Sequence, residues 1–225
     1  MPSYLYGLIL DRNAHLIPAH IPGIGGSTIR VLACGDLAAL VSTVERGASR
    51  PGLDEVRSHD HALQAAVHHG ATAVAVRFGQ TFASDDDLRD DVKERCVELT
   101  SLLTNYDGCV EMRLLVAIPE EMREKSEQPL DDESPGTAYL KHLSRGARAS
   151  RDLANRWALR AALGPSVLAE RVEALPKSRG AVFSHLIKRE EESGYREAIG
   201  LQPSLAEAHV VGPLALYAFS EPSDE

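Results

Sequence analysis

Five residues in one short stretch, His59, Asp60, His61, His68 and His69, form the densest group of potential metal ligands in the sequence. Imidazole and carboxylate together suit a first-row transition metal, and an adjacent His and Asp is the pair that metal-dependent phosphohydrolases use. His61 and His68 are seven apart, so on a helix they return to nearly the same side. Such a centre needs further His and Asp ligands from other helices, and no companion motif occurs elsewhere in the chain. The group therefore reads as a polar helix face with extra histidines, and no metal is assigned. Gly23, Gly25 and Gly26 before Ser27-Thr28 resemble a phosphate cradle at first sight. A P-loop needs a Lys before the Ser or Thr, and a dinucleotide loop needs a helix directly after it; here Ile29 to Cys34 has the composition of a strand. Ser166, Ser184 and Ser193 are available hydroxyls, but none lies in a Gly-x-Ser-x-Gly elbow and no triad is visible. No catalytic residue and no cofactor is assigned, and the chain is read as a non-enzyme.

Charge and composition narrow the classes further. The 225 residues carry 24 Lys plus Arg against 33 Asp plus Glu, a formal charge of -9 with His neutral. An acidic chain lacks the cation excess from which general nucleic-acid binders draw their affinity. Hydrophobic residues at 44% and charged residues at 25% fit an ordinary globular protein and exclude a disordered, collagen-like or coiled-coil chain. The length suits one large domain or two small ones, each able to bury a core. Cys34, Cys96 and Cys109 are widely spaced, without the paired spacing of a zinc or dithiol site, and read as reduced, partly buried residues. Met1 to Leu10 has no basic n-region, and no apolar run approaches the ~20 residues that cross a bilayer. A cytoplasmic protein without a membrane span is expected.

The elements that would position these residues follow from periodicity. Tyr4 to Leu10 alternates as a strand with both faces apolar. Ile29–Cys34 and Leu37–Val44 flank Gly35-Asp36, the signature of a hairpin. Leu53 to Gly70 has helical spacing, with Val56, Leu63, Val67 and Gly70 on one side and His59, Asp60 and Gln64 elsewhere. Ala71 to Phe82 reads as one strand with Val74, Val76 and Phe78 inward. Ser84 and Asp87 then stand in capping-box relation, and a helix follows with a buried stripe of Leu88, Val92, Cys96, Leu99 and Leu103. Asp85, Asp86 and Asp87 lie where the helix dipole favours negative charge.

After Asp107-Gly108, Val110, Met112, Leu114, Val116 and Ile118 alternate with Cys109, Glu111, Arg113, Leu115 and Ala117, the clearest strand in the chain. Residues 119–133 are acidic and aperiodic and are expected to form a mobile connector. Beyond them a long helix carries Leu140, Leu143, Ala147, Ser150, Ala154, Trp157 and Ala161 on one face. Lys141, Arg145, Arg148, Arg156 and Arg160 form a neighbouring basic row, a solvated face that could also bind an acidic partner. Gly164-Pro165 ends this helix, a second helical piece is predicted over Val167 to Leu175, and Ala181–Lys188 returns to strand. A short helix near Tyr195 to Ile199 and a last strand, His209 to Phe219, complete the chain. The order predicts an α+β fold of two domains, 1–107 and 108–225, the second a split β-α-β arrangement with an antiparallel sheet.

Three segments are more informative than any catalytic motif. They are Val76-Arg77-Phe78-Gly79-Gln80-Thr81-Phe82 at a strand end, Ser134-Pro135-Gly136-Thr137-Ala138-Tyr139-Leu140 at the start of the long helix, and Gly212-Pro213-Leu214-Ala215-Leu216-Tyr217-Ala218-Phe219. Gly79 lets the chain turn with Phe78 and Phe82 buried, Ser134 and Pro135 suit a helix start, and Gly212-Pro213 bends the last strand or places it at an edge. Together with Tyr4-Leu5-Tyr6-Gly7, this set and its order resemble the gas vesicle protein F and L family over nearly the whole chain. The family run resembling Gly-Pro-Trp-Pro-Pro-Tyr-Ser-Phe is altered here, Leu214, Ala215 and Leu216 standing where Trp-Pro-Pro is usual.

The resemblance implies a non-enzymatic accessory protein of gas vesicle assembly or nucleation. Its partners would be the small hydrophobic shell protein and other gas vesicle accessory proteins, and its place the cytoplasm and the gas vesicle. It also implies a C-terminal domain with a modified ferredoxin-like fold. The family-motif positions it marks are Arg77, Phe78, Gly79, Phe82, Ser134, Pro135, Gly136, Tyr139, Leu140, Gly212, Pro213, Tyr217 and Phe219. The alternative from another class is a regulatory α+β protein that senses a small molecule, since ferredoxin-like domains bind ligands at sheet edges.

Overall fold

The computed structural model of the chain describes residues 1–44, 52–117, 163–175, 180–202 and 208–220. These divide into two compact units, Met1–Glu111 with Pro213–Glu225, and Met112–Gly212.

The first unit is built around β1, Ser3–Leu10, whose eight residues are all buried, as its apolar alternation on both faces requires. A hairpin of β2, Arg30–Cys34, and β3, Leu37–Thr43, turns at Gly35-Asp36 and pairs antiparallel through β3 with β1. On the other flank of β1 lie β4, Ala73–Ala75, and the two-residue β5, Thr81–Phe82, both antiparallel to it. The sheet order is β2-β3-β1-β4, with β5 also on β1. Helix α1, Leu53–His68, packs on this sheet, and α2, Asp85–Glu94, and α3, Cys96–Asn105, follow β5.

The expected cap of α2 is present, the Ser84 Oγ accepting from the Asp87 N–H at 3.2 Å. Asp85 does more than meet the helix dipole. Its carboxylate accepts from Arg30 at 2.6 Å and from the Ser3 hydroxyl, joining α2 to β2 and β1. The Arg30 hydrogen bond holds the Asp85 carboxyl below its ordinary range.

The second unit contains a four-stranded sheet in the order β7-β8-β6-β9. Its strands are β6, Cys109–Ala117, β7, Val167–Ala174, β8, Gly180–Lys188, and β9, His209–Leu214, with α4, Glu192–Gly200, between the last two. The segment 167–175, expected as a helix, is therefore mostly strand. Its Leu, Ala, Glu and Arg content and the spacing of Leu168, Val172 and Leu175 suit a helix, but a ladder from Val167↔Ile187 to Ala174↔Ala181 supplies pairing that local propensity does not foresee.

Other boundaries shift for similar reasons. The helix expected from Ser84 onward breaks at Arg95 into α2 and α3, keeping Leu88, Val92, Leu99 and Leu103 buried and leaving Cys96 half-exposed. The strand expected over 71–82 is interrupted at residues 76–80. The last strand stops at Leu214, short of Phe219. The connector 119–133, the long helix and its basic row lie outside the described residues.

In α1 the buried side is His59, Ala62, Leu63, Ala66 and Val67, whereas Leu53 and Val56 are exposed. The sequence-based assignment of His59 to the polar side is thus reversed. Gly7 is where α1, β1 and β4 come closest: a Cβ there would meet Leu63 Cδ2 at 2.5 Å and the Val74 carbonyl oxygen at 2.6 Å. The carbonyl belongs to the backbone and cannot swing aside. Gly7→Ala should therefore lower stability by about 1–3 kcal/mol through overpacking, read as a drop in the urea midpoint at unchanged slope; an unchanged midpoint would show that the three elements can part without cost.

Candidate functional site

Two neighbouring residues of α1, His59 and Asp60, hold the signature segments at the N-terminus, after β4 and after β9. The arrangement starts in β1, where the register with β3 shifts between Leu5 and Gly7, so that Tyr6 is bulged. Opposite this irregularity the chain after β4 leaves the sheet. Val76 donates to the Tyr6 carbonyl at 3.2 Å and Leu5 to the Gln80 carbonyl at 3.0 Å, and residues 77–79 loop out between these anchors. Gly79 takes a φ of +90°, which explains a glycine at this turn.

The loop is fastened by side chains. The Gly79 N–H donates to the Tyr4 hydroxyl at 3.0 Å, and that hydroxyl lies 2.9 Å from His59 Nδ1. The Tyr4 oxygen thus serves the loop and the helix at once, accepting from Gly79 while sharing a hydrogen bond with the imidazole. The rings of Tyr4, Tyr6 and Phe78 surround His59 at centroid distances of 5.7, 5.5 and 5.5 Å. Tyr6 meanwhile bonds Ser42 and accepts from the Ile24 N–H, both at 2.8 Å.

Asp60, the next residue, lies on the solvent side. Exposed on α1, it accepts from the Tyr217 hydroxyl at 2.8 Å, across 157 residues of sequence. Behind Tyr217, Leu216 pairs parallel with Val74: its N–H donates to the Ala73 carbonyl at 2.8 Å, and its carbonyl accepts from Ala75 at 3.2 Å. A proline, usual here in the family pattern, has no N–H to give, so the leucine adds a ladder bond. Glu111, with 0% exposure, accepts from the amides of Tyr217 at 2.8 Å and Ala218 at 2.7 Å.

The geometry assigns these groups to holding rather than reacting. Burial pushes the Tyr4 phenol up to about 12, away from ionisation. The Gly-rich loop is no phosphate cradle: the amides of Gly23, Ile24, Gly26 and Ser27 donate to Ser27, Tyr6, Gly23 and Ile24. His61, His68 and His69 are exposed, away from buried His59, and among the described residues no group of three or more His, Cys, Asp or Glu is placed to hold a metal.

A second buried polar group in the other unit went unread in the sequence. His185, fully buried, meets the Tyr195 hydroxyl at 2.7 Å through Nδ1 and Glu170 at 2.9 Å through Nε2, tying α4 to β8 and β7. Burial raises the Tyr195 pKa, against nucleophilic use.

Of the motif positions, Arg77 and Gly79 are exposed, and Phe78, Phe82, Gly212, Pro213 and Tyr217 half-buried, with Phe219 buried. Ser134, Pro135, Gly136, Tyr139 and Leu140 lie outside the described residues, as do Lys141, Arg145, Arg148, Arg156 and Arg160. Glu111 carried one faint signal, an acid in a mostly apolar strand that also holds Arg113; its partners are more than 100 residues away.

His59 also sets a pH dependence. Burial, opposed by the charge of Asp60 and the Val76 carbonyl, holds its imidazole below the ordinary 6.5, and its Nε2 completes no hydrogen bond. Between the native and unfolded values the unfolded chain binds more protons, so stability present above pH 6.5 is lost as pH falls toward the native value, below which the loss is complete. Acidification should thus lower the thermal midpoint more steeply in the wild type than in His59→Phe, whose ring fits the aromatic cluster but cannot take a proton. Parallel pH profiles for the two proteins would remove His59 from this account.

Among the described residues no helix is long and apolar enough to cross a membrane. No curated protein sequence matches the chain. The crystal structure of gas vesicle protein GvpF from Anabaena is similar, with a TM-score of 0.75 at 17% identity over 99% of this chain and 97% of that one. The crystal structure of GvpF from Microcystis aeruginosa is similar at a TM-score of 0.70 and 13% identity, covering 98% of this chain and 99% of that one. At such identities the likeness speaks for the fold. The family model for gas vesicle synthesis protein GvpL/GvpF matches residues 2–221. With that match spanning both units, the chain belongs to the gas vesicle protein F and L family.

Proposed function

We propose that this protein is an accessory factor of gas vesicle assembly or nucleation that binds the small hydrophobic shell protein, together with other gas vesicle accessory proteins, at the vesicle and in the cytoplasm. The observation that carries the reading is the convergence of the Tyr4 segment, the loop after β4 and the Tyr217 segment on His59 and Asp60 of α1 within a chain of this family. The family is one of gas vesicle accessory proteins and not a known enzyme family, and the site's hydroxyl, imidazole and carboxylates are occupied in holding loops together.

The contact face in this reading is the exposed rim of that convergence: Arg77, Gly79 and the outer edge of Phe78. A half-buried aromatic next to an Arg is the composition of an interface anchor. The basic row Lys141, Arg145, Arg148, Arg156 and Arg160 is a second proposed contact, toward acidic partners.

We also read the chain as two domains, 1–107 and 108–225, the second of modified ferredoxin-like type, with Pro213–Glu225 grouping with the first unit. Supporting this are the sheet order β7-β8-β6-β9 and the sequence β6, β7, β8, α4, β9, which becomes βαββαβ with the helix expected after Ser134.

Capture of the shell protein by the purified chain tests the function. Arg77→Glu, at an exposed position, should reduce capture by about tenfold, the ordinary effect of losing an interface Arg, while leaving the thermal midpoint unchanged. A deletion strain should lack vesicles. Vesicles in normal number in that strain would overturn the assembly role; undiminished capture by Arg77→Glu would overturn only the face, and the same measurement on Arg145→Glu with Arg148→Glu decides the basic row.

A further inference from the structure

The edge of β4 and the Glu111 carboxylate form a cleft that recognises main chain. β4 ends the sheet order of the first unit, and the strand that covers it is a single residue, Leu216, bonded on both sides to Ala73 and Ala75. Glu111 takes two successive amides, those of Tyr217 and Ala218. Ala215, Leu216 and Phe219 fill the apolar part of the site and are buried.

Emptying this cleft would leave a buried carboxylate short of two donors and an open sheet edge, both costly. An extended segment offering the same two amides relieves both at once, whichever chain it comes from. The groups that do the recognising all belong to Met1–Glu111, whereas the recognised segment follows Gly212-Pro213 of β9, more than 100 residues later in the chain. A second copy of the chain carries the matching segment, including the Leu216 amide. We propose that the cleft also accepts residues 213–220 of a second copy, linking copies by strand addition. This stands apart from the shell-protein reading.

A labelled peptide of residues 213–220, titrated into the full chain, tests it by anisotropy. Phe219→Ala weakens the chain's own segment and leaves the cleft intact, so this variant should bind the peptide about tenfold more tightly than the wild type does. Adding Glu111→Gln to that variant, or using a peptide with Leu216→Pro, should each cost about tenfold. Absence of binding by Phe219→Ala would overturn the proposal, as would equal binding by the Glu111→Gln double variant. Unfolding of Phe219→Ala would overturn it as well, because the segment would then be an inseparable part of the core.

Discussion

The Tyr4 hydroxyl is the point on which the first unit turns. It sits in a fully buried strand, and there it does two things that no apolar side chain could do. It accepts the amide of Gly79 in the outward loop after β4, and it shares a hydrogen bond with His59 on α1. A phenylalanine would pack as well but would make neither bond. Sheet, helix and loop are thereby fixed by one oxygen, with the aromatic rings of Tyr6 and Phe78 excluding water around it.

The same logic recurs at two other buried polar groups among the described residues. Glu111 is tolerated in the interior because two amides point at it, and His185 because a tyrosine and a glutamate occupy its two nitrogens. His59 and Glu111 join elements that are distant in sequence, His185 joins neighbouring ones, and each is expensive to leave unpaired. This is the chemistry of a scaffold that must present loops in a set arrangement. It fits a family whose members are known for gas vesicles and not for turnover of a substrate. The half-open loop 77–79 is the place where that rigidity meets solvent, since its ends are pinned to β1 while Arg77 remains exposed.

Strongly patterned stretches were legible in advance: β1, the hairpin at Gly35-Asp36, the cap at Ser84, β6 and β8 each carry a local signal that tertiary contacts only reinforce. The failures have a common cause. Residues 167–174 have helix-forming composition and became a strand because β8 lies alongside. His59 looked polar in a helical register and proved to be core, because a tyrosine 55 positions earlier supplies the hydrogen bond that makes its burial affordable. The same holds for the site: its motif segments were visible, but not that they meet.

Sequence alone determined the class of protein: an acidic α+β chain of the gas vesicle protein F and L type, with its turns, caps and apolar strands in place. These follow from interactions within a few residues, where identity and spacing suffice. Tertiary structure alone decided which polar residues are buried and with whom, among them Tyr4 with His59, Tyr217 with Asp60, Glu111 with the chain after β9, and His185 between Tyr195 and Glu170. The reason is physical: a buried polar group is stable only when its partner arrives, and here most of the partners come from remote parts of the chain.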